Sequence, residues 1–228
     1  MVIYPTHPDY ICSLLKDGQI TSKQADDWEA IAKMSENAFE SLLKDWFPGG
    51  IYRQPGQWLD SAFNNLIQPV VGISWFEVLA YGTWLSAQTG LNFQLPSEAQ
   101  WEAVARGFSK RAYAWGEKFE AQQCNSFESH IRATTPVGLF IEGNTPDNDL
   151  ADISGSVWEW TRSLYHKYPY ETNDGRENPN DSKSRRVVRG GSWFNGPRRA
   201  RCACRGGYFP DLRDNNLGFR LSCVSPIH

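Results

Sequence analysis

The chain has 228 residues, of which 40% are hydrophobic and 14% aromatic, so it can bury one sizeable core and is not intrinsically disordered. Its formal net charge of −3 excludes a general attraction to nucleic-acid phosphates. Five cysteines, an odd number without metal-finger spacing, favour a reducing compartment. No basic leader or apolar run of about 20 residues is visible, which predicts a cytoplasmic protein without a membrane span.

The N-terminal part of the chain is predicted to be helical. After a short strand-like start, the apolar residues within positions 2–16 indicate one or two helical turns. A capping box begins at Thr21, and apolar residues then recur at helical spacing. This amphipathic helix is expected to break near residues 35–37 and to end at Pro48. Its apolar face is expected to pack on the protein's own core.

The next segments predict one short strand and two capped helices. Residues 68–73 form a short apolar run, which favours a strand. Ser74 begins a capping box, and the helix that follows it is expected to reach Thr89. Ser97 begins another capping box, with a helix that ends at Arg106. Both helices therefore have local start and stop signals.

Beyond residue 107 neither the helical nor the strand period is sustained, and the chain is rich in Gly, Pro, Trp and Asn. We expect short strands and loops there, with an exposed insertion over residues 173–185. Two capped helices followed by a loop-rich half predict an α+β domain. This domain is expected to span residues 51–228, and residues 1–50 are expected to form a helical extension packed on it.

Residues 189–221 combine two kinds of sequence. Their glycine-punctuated ends are typical of strand termini with buried aromatic residues. The stretch between these ends follows neither period, and its mixture of residue types is unusual for a loop. Exposed aromatic residues in such a stretch suggest a ligand-binding surface, and an irregular excursion that packs on itself is an equally good interpretation. The residues assigned to this surface are Phe194, Gly196, Arg199, Cys202, Cys204, Gly206, Gly207, Tyr208, Phe209, Leu212 and Asp214.

Arginines cluster at residues 185–189 and 198–205. We interpret them as stacking on tryptophan or pairing with acidic side chains, because the chain as a whole is acidic. Specific nucleic-acid binding is therefore not expected.

Seven motifs occur in a fixed order over residues 68–221: QPVVGISWFEVLAYGTWLS, LPSEAQWEAVARG, YAWGE, TTPVGLF, GSVWEWT, RVVRGGSW and NNLGFRL. In order and spacing they resemble the formylglycine-generating sulfatase-modifying family. The resemblance implies a C-type lectin-like fold of the formylglycine-generating-enzyme type. Such a fold has two helices flanking a small antiparallel sheet, and much irregular backbone that displays loops on one face.

The resemblance also bears on catalysis. The oxidases of this family carry two active-site cysteines in the segment after GGSW, and the matching positions here are Asn195 and Ala200. Neither residue can form the thiolate that binds copper. Cys202 and Cys204 lie nearby but out of register. A related sulfoxide synthase needs an iron site built from histidines, and the four scattered histidines here offer none. The chain is therefore expected not to be an enzyme.

The final segment further resembles the variable region of diversity-generating retroelement variable proteins, a prokaryotic branch of the same fold. In that group, templated reverse transcription alters adenines, so asparagine codons become many other residues. The resemblance implies a non-catalytic protein with a hypervariable surface, within residues 189–221, that binds varied protein ligands. The alternatives are a non-diversified sulfatase-modifying-type domain in sensing or signalling and, third, a formylglycine-generating oxidase.

The family resemblance also implies a calcium site near GSVWEWT. The matching oxygen ligands are those of Asp152, Gly155, Val157 and Glu159, with the glycine and valine contributing carbonyls. The alternative is that Glu159 pairs with a buried arginine, either Arg189 or Arg220. Apart from this structural calcium, no cofactor is required.

Overall fold

The computed structural model describes four stretches of the chain, residues 8–18, 20–46, 54–171 and 173–224. Two compact units are present, Met1–Arg53 and Gln54–His228. The boundary expected between residues 50 and 51 lies outside the described residues. Within the stretches that are described, no helix has both the length and the apolar character needed to cross a membrane.

The first unit contains three α-helices, α1 (Pro8–Lys16), α2 (Ser22–Ala32) and α3 (Glu36–Trp46). The predicted capping box at Thr21 is confirmed, because the backbone N–H of Thr21 donates to Gln24 Oε1 at 2.9 Å while its hydroxyl accepts from Gln24 N. The expected interruption near residues 35–37 is also confirmed, since α2 and α3 are separate helices. The strand-like start and the stop at Pro48 lie outside the described residues.

The second unit contains two α-helices, α4 (Trp75–Thr89) and α5 (Glu98–Arg106). Both predicted helices are confirmed, since Ser74 and Ser97 each form a complete capping box. Gly90 ends α4 in the left-handed conformation, at a φ of 72°, which glycine adopts at little cost. Later in the chain the described residues form three short 3₁₀ helices, Ala121–Gln123, Phe127–Ser129 and Ile141–Gly143.

Two small sheets complete the second unit. Strands β1 (Asn92–Gln94) and β6 (Ser222–Val224) form an antiparallel pair. The larger sheet has the order β4-β3-β2-β5 and contains β2 (Trp158–Leu164), β3 (Arg186–Arg189), β4 (Arg205–Tyr208) and β5 (Leu217–Phe219). The predicted α+β class is confirmed. The larger sheet is mixed, since β5 runs parallel to β2 and the other pairs are antiparallel.

Tryptophans connect the start of α4 to the sheet in the main core. Trp75 donates its indole N–H to the carbonyl of Thr161 at 3.0 Å, and Trp160 donates to the carbonyl of Ile73 at 3.1 Å. These buried donors are satisfied, so both rings can bury their full apolar area. A second buried cluster consists of Trp101, Ala105, Ala114, Ile153 and Cys202.

One local expectation is wrong, and a second is confirmed with one exception. Residues 68–73 form no strand, because Gly72 has a φ of +71° and its N–H donates instead to the carbonyl of Asp214 at 2.9 Å. The insertion at residues 173–185 is largely exposed, but Arg176 within it is fully buried. Its guanidinium donates to Asp174 and lies 4.1 Å from the ring centre of Tyr170, so its buried positive charge has a counter-charge and an aromatic partner.

Candidate ligand-binding surface

Residues 190–216, here named the display segment, leave β3 at one end and reach β5 at the other, and they include β4. Main-chain hydrogen bonds attach this segment to the rest of the unit at intervals. Four of these bonds, of 2.7–3.0 Å, run from Trp193 to Ser156, from Cys202 to Ala112, from Gly72 to Asp214 and from Trp75 to Pro210. Because these bonds use backbone atoms, they do not depend on which side chains the segment displays.

The display segment begins with a tight turn that requires glycine. Gly191 has a φ of +75°, and a Cβ added to it would lie 2.7 Å from the carbonyl oxygen of Arg199. Only glycine combines this conformation with so close an approach of two backbones. The next residue but one, Trp193, then donates its indole N–H to the carbonyl of Asn215 at 3.3 Å, which holds the two ends of the segment together.

Several of the side chains assigned to the surface do point into solvent. Phe194 is 61% exposed, Phe209 51% and Leu212 36%. Arg199 and Asp214 are also exposed, and Gly196 is partly exposed. The display segment therefore presents apolar and charged groups together.

The assignment of Cys202 to the surface is wrong. This residue is 0% exposed and packs in the second buried cluster, where its Sγ–H donates to the carbonyl of Ala105 at 3.5 Å. Its own carbonyl accepts from Arg189 Nη2 at 2.7 Å, so both its backbone and its side chain face inward. Burial raises the pKa of its thiol to about 11, which suppresses the reactive thiolate.

Cys204 is half-buried and packs against the main core. The two thiols of Cys202 and Cys204 therefore belong to different clusters, as expected for an extended backbone that alternates its side chains between two faces.

Gly206 and Gly207 are strand residues and not free loop positions. They lie in β4, opposite Val188 and Val187 of β3. A Cβ on Gly206 would lie 2.7 Å from Val188 Cγ2, and a Cβ on Gly207 would lie 2.7 Å from the ring of Tyr165. A larger residue at either position must displace a neighbouring side chain. The interpretation of both as freely exchangeable surface is therefore wrong.

A cleft of about 300 Å³ opens beside β4. Its lining residues are Trp158, Tyr165, Arg185, Asn195, Arg199, Arg205, Gly206, Gly207 and Tyr208. Arg199, Gly206, Gly207 and Tyr208 were among the residues assigned to the surface from the sequence. Trp158, Tyr165 and Arg185 were not, because strand pairing brings them to the cleft from distant parts of the chain, and Arg205 was interpreted only as one of the clustered arginines.

Arg205 forms part of a buried ionic network below the cleft. Its Nη2 donates to Glu98 Oε2 at 2.7 Å, and its Nε donates to the other oxygen of the same carboxylate. Arg189 donates to Glu98 and, at 2.7 Å, to Glu102. The guanidinium of Arg205 also lies 4.4 Å from the ring centre of Tyr168. The prediction that clustered arginines pair with acids or stack on aromatic rings is confirmed for Arg189 and Arg205.

The two positions that the sequence resemblance matches to the oxidase cysteines carry an amide and a methyl side chain. Asn195 lines the cleft, and its Oδ1 accepts from the hydroxyl of Ser192 at 2.9 Å. Ala200 is buried. Within the described stretches, no group of three or more His, Cys, Asp or Glu side chains is arranged to hold a metal ion.

Three of the carboxylate oxygens assigned to calcium are already engaged by protein donors. Arg220 donates to both carboxylate oxygens of Glu159 at 2.7 Å, and Trp101 Nε1 donates to Oε2 at 2.6 Å. Asp152 Oδ2 accepts from the backbone N–H of Gly138 at 2.8 Å. A cation at Glu159 would have to replace the positive charge of Arg220, so these residues do not fit a calcium ion. The structure shows the alternative arrangement, in which Glu159 pairs with an arginine, Arg220.

Comparison with known proteins places these features in a family. The chain is 33% identical over 201 residues to inactive C-alpha-formylglycine-generating enzyme 2 of Bos taurus, covering 80% of this chain and 60% of that protein. It is 32% identical over 199 residues to the formylglycine-generating enzyme of Mus musculus, covering 78% of this chain and 50% of that protein. The chain thus spans between half and three fifths of the length of these relatives.

Among solved structures, Treponema denticola variable protein 1 superposes with a TM-score of 0.57 at 22% identity, covering 70% of this chain and 72% of that one. This likeness confirms the C-type lectin-like fold. The Sulfatase-modifying factor enzyme 1-like domain matches residues 14–224. The chain therefore belongs to the sulfatase-modifying factor enzyme 1-like family.

Proposed function

We propose that the chain is a non-catalytic ligand-binding protein whose display segment presents an exchangeable surface to protein ligands. One observation carries the proposal. The exposed side chains of Phe194, Phe209 and Leu212 project from a backbone that is attached through main-chain hydrogen bonds. Aromatic and aliphatic side chains exposed beside a cleft are typical of protein-binding surfaces.

The same observation supports diversification of the surface. Substitution of exposed side chains away from caps, glycines and buried networks changes stability by less than about 0.5 kcal/mol. Exchange at Phe194, Arg199, Phe209, Leu212 and Asp214 therefore leaves the fold intact while it changes the ligand. Cys202, Gly206 and Gly207 belong to the frame and stay constant in this proposal.

A combinatorial library tests this division. The five exchangeable positions are randomised together in one library, and Cys202, Gly206 and Gly207 in a matched second library. We expect most members of the first library to fold and its selected members to bind different protein targets. We expect most members of the second to unfold. Equal loss of folding in both libraries would contradict the proposal.

The coding DNA provides a test of the retroelement itself. Diversification requires a reverse transcriptase gene nearby and a near-copy of the sequence for residues 189–221 that differs at adenines. Absence of this near-copy would favour a non-diversified domain in sensing or signalling.

The non-catalytic part of the proposal is supported by Asn195 and Ala200, which the resemblance in sequence matches to the cysteines of the family's oxidases. Relatives described as inactive and relatives described as formylglycine-generating enzymes both match the chain, so only an assay can separate the two. A cysteine-containing sulfatase peptide is incubated with copper, oxygen and the protein, with the Mus musculus enzyme as the positive control. We expect no aldehyde, and its formation would identify an oxidase.

A further inference from the structure

The cleft beside β4 has a positive lining on a chain that is acidic overall. Three of its nine lining residues are arginines, Arg185, Arg199 and Arg205, and none is acidic. The chain as a whole has a formal net charge of −3. The charge of the cleft lining is therefore opposite in sign to the net charge of the chain. A concave surface concentrates the electrostatic potential of the charges that line it.

The three arginines differ in how their charge is balanced. Arg205 is paired with Glu98 and is already neutralised. Arg185 and Arg199 form no ion pair with any residue in the described stretches of the chain. The guanidinium of Arg185 lies 4.9 Å from the ring centre of Phe209, and its carbonyl accepts from Tyr165 N at 2.8 Å, which fixes it beside the cleft.

Two neutral groups add hydrogen-bond donors to the same cleft. The Oδ1 of Asn195 is occupied by Ser192, which leaves its Nδ2 amide group available to a ligand. Burial raises the pKa of Tyr208, so its hydroxyl stays protonated at neutral pH and can donate. The rings of Trp158 and Tyr165 supply apolar walls. The cleft thus offers several donors, and none of its nine lining residues carries a carboxylate; Asp214, outside the lining, is the acidic group that acts on Tyr208.

We infer that this cleft binds an oxyanion, a carboxylate or a phosphate, on a peptide segment of the ligand, with Arg185 and Arg199 as its cationic contacts. The inference rests on the proposed ligand-binding function and names the chemistry of the ligand. Guanidinium groups match carboxylate and phosphate oxygens in geometry and charge. A volume of about 300 Å³ suits one or two side chains of a peptide and not a whole folded partner.

Fluorescence anisotropy on the full chain tests the inference with three labelled peptides. The first alternates glutamate with glycine, the second has glutamine for glutamate, and the third has phosphoserine in its place. We expect the first or third peptide to bind at least about tenfold more tightly than the glutamine peptide, because hydrogen bonds to charged groups are stronger than those between neutral groups. The tighter of the two anionic peptides identifies carboxylate or phosphate as the source. Equal binding of all three, or no binding, would overturn the inference.

Three charge-matched variants locate the site. Arg185→Gln and Arg199→Gln should each lower the affinity for the anionic peptide about threefold to tenfold. The double variant should bind the anionic peptide no more tightly than the glutamine peptide. Arg198→Gln is the control, since Arg198 is exposed on the same segment, lies outside the cleft and changes the net charge equally. An equal loss in Arg198→Gln would show general attraction and overturn the inference.

The outcomes also separate this inference from the proposed function. If the anionic peptides show no preference while library members still bind their selected targets, the oxyanion site fails and the display surface stands. If the first library unfolds, the display surface fails regardless of how the peptides bind. Chemical unfolding of each arginine variant confirms that the loss of affinity is not a loss of folding.

Discussion

Arg220 donates two hydrogen bonds to Glu159, from Nε to Oε2 and from Nη2 to Oε1, each over 2.7 Å. Glu159 is buried, so its removal leaves a guanidinium without its counter-charge. We expect Glu159→Gln to lower the free energy of unfolding by about 3–5 kcal/mol in urea titrations. The further change Arg220→Met removes the uncompensated charge and should recover part of the lost free energy of unfolding. A single variant within about 0.5 kcal/mol of wild type would contradict the importance of this pair.

Calcium should not stabilise the protein. Since Arg220 occupies both oxygens of Glu159, we expect calcium chloride added after chelation to leave the thermal unfolding midpoint unchanged. An ion that bound the folded state alone would raise the midpoint in proportion to the logarithm of its concentration. Such a rise, with magnesium as the control, would show that the ion displaces Arg220.

Two glycines of the display segment should respond differently to alanine. In Gly207→Ala the new methyl group meets the ring of Tyr165 at 2.7 Å, so we expect a loss of about 1–3 kcal/mol in the free energy of unfolding. In Gly196→Ala the nearest atom is Glu128 Oε1 at 3.2 Å, at the end of a flexible side chain, and the change should stay within about 0.5 kcal/mol. Urea titrations compare the two variants. Equal effects would mean that β4 is no more constrained than the turn before it.

The reactivity of the cysteines toward iodoacetamide at neutral pH should follow their exposure in the native protein. Cys12 and Cys223 are exposed and should be alkylated, whereas Cys124 and Cys202 are buried and should be protected. Burial also raises the pKa of Cys124 to about 12, which removes its thiolate at neutral pH. Peptide mapping by mass spectrometry measures each site, and unfolded protein is the control in which all are modified. Rapid alkylation of Cys202 would contradict its position in the core.

Alkaline pH should destabilise the fold through Cys202. Its folded pKa is raised to about 11, whereas an unfolded thiol ionises near 8.5. The contribution of this thiol to the free energy of unfolding is therefore fully present below about pH 8.5. It falls as pH rises toward about 11, by at most about 1.4 kcal/mol per pH unit. Urea titrations across this range should give a shallower decline in Cys202→Ala than in wild type. Parallel declines would show that other groups cause the effect.

The helices could be predicted because their signals are local. The capping boxes at Thr21, Ser74 and Ser97 each use a side chain and a backbone N–H only three residues apart, and all three are present. Residues 68–73 illustrate the opposite case. Their apolar composition resembles a strand, but Gly72 bonds to Asp214, which lies far along the chain.

The surface was only partly predictable for a similar reason. Exposure of Phe194 and Phe209 follows from the lack of any periodic pattern around them. Burial of Cys202 depends on contacts with α5 and with the backbone of Ala112, which no local pattern reveals. The cleft is assembled from β2 and the residue after it, the residue before β3, β4 and the turn that precedes β4, so Arg185 and Tyr165 meet only after the strands pair.

The backbone attachments of the display segment fix the path of its main chain without involving its exposed side chains. Because Ser156, Ala112 and Gly72 bond to main-chain atoms, we expect substitutions at the exposed positions to leave the path of the chain unchanged. Such a protein can alter the polarity, bulk and charge of its binding face, yet the course of the backbone beneath that face stays constant. Partners would then be sorted first by whether their contour matches this one course and only afterwards by their composition.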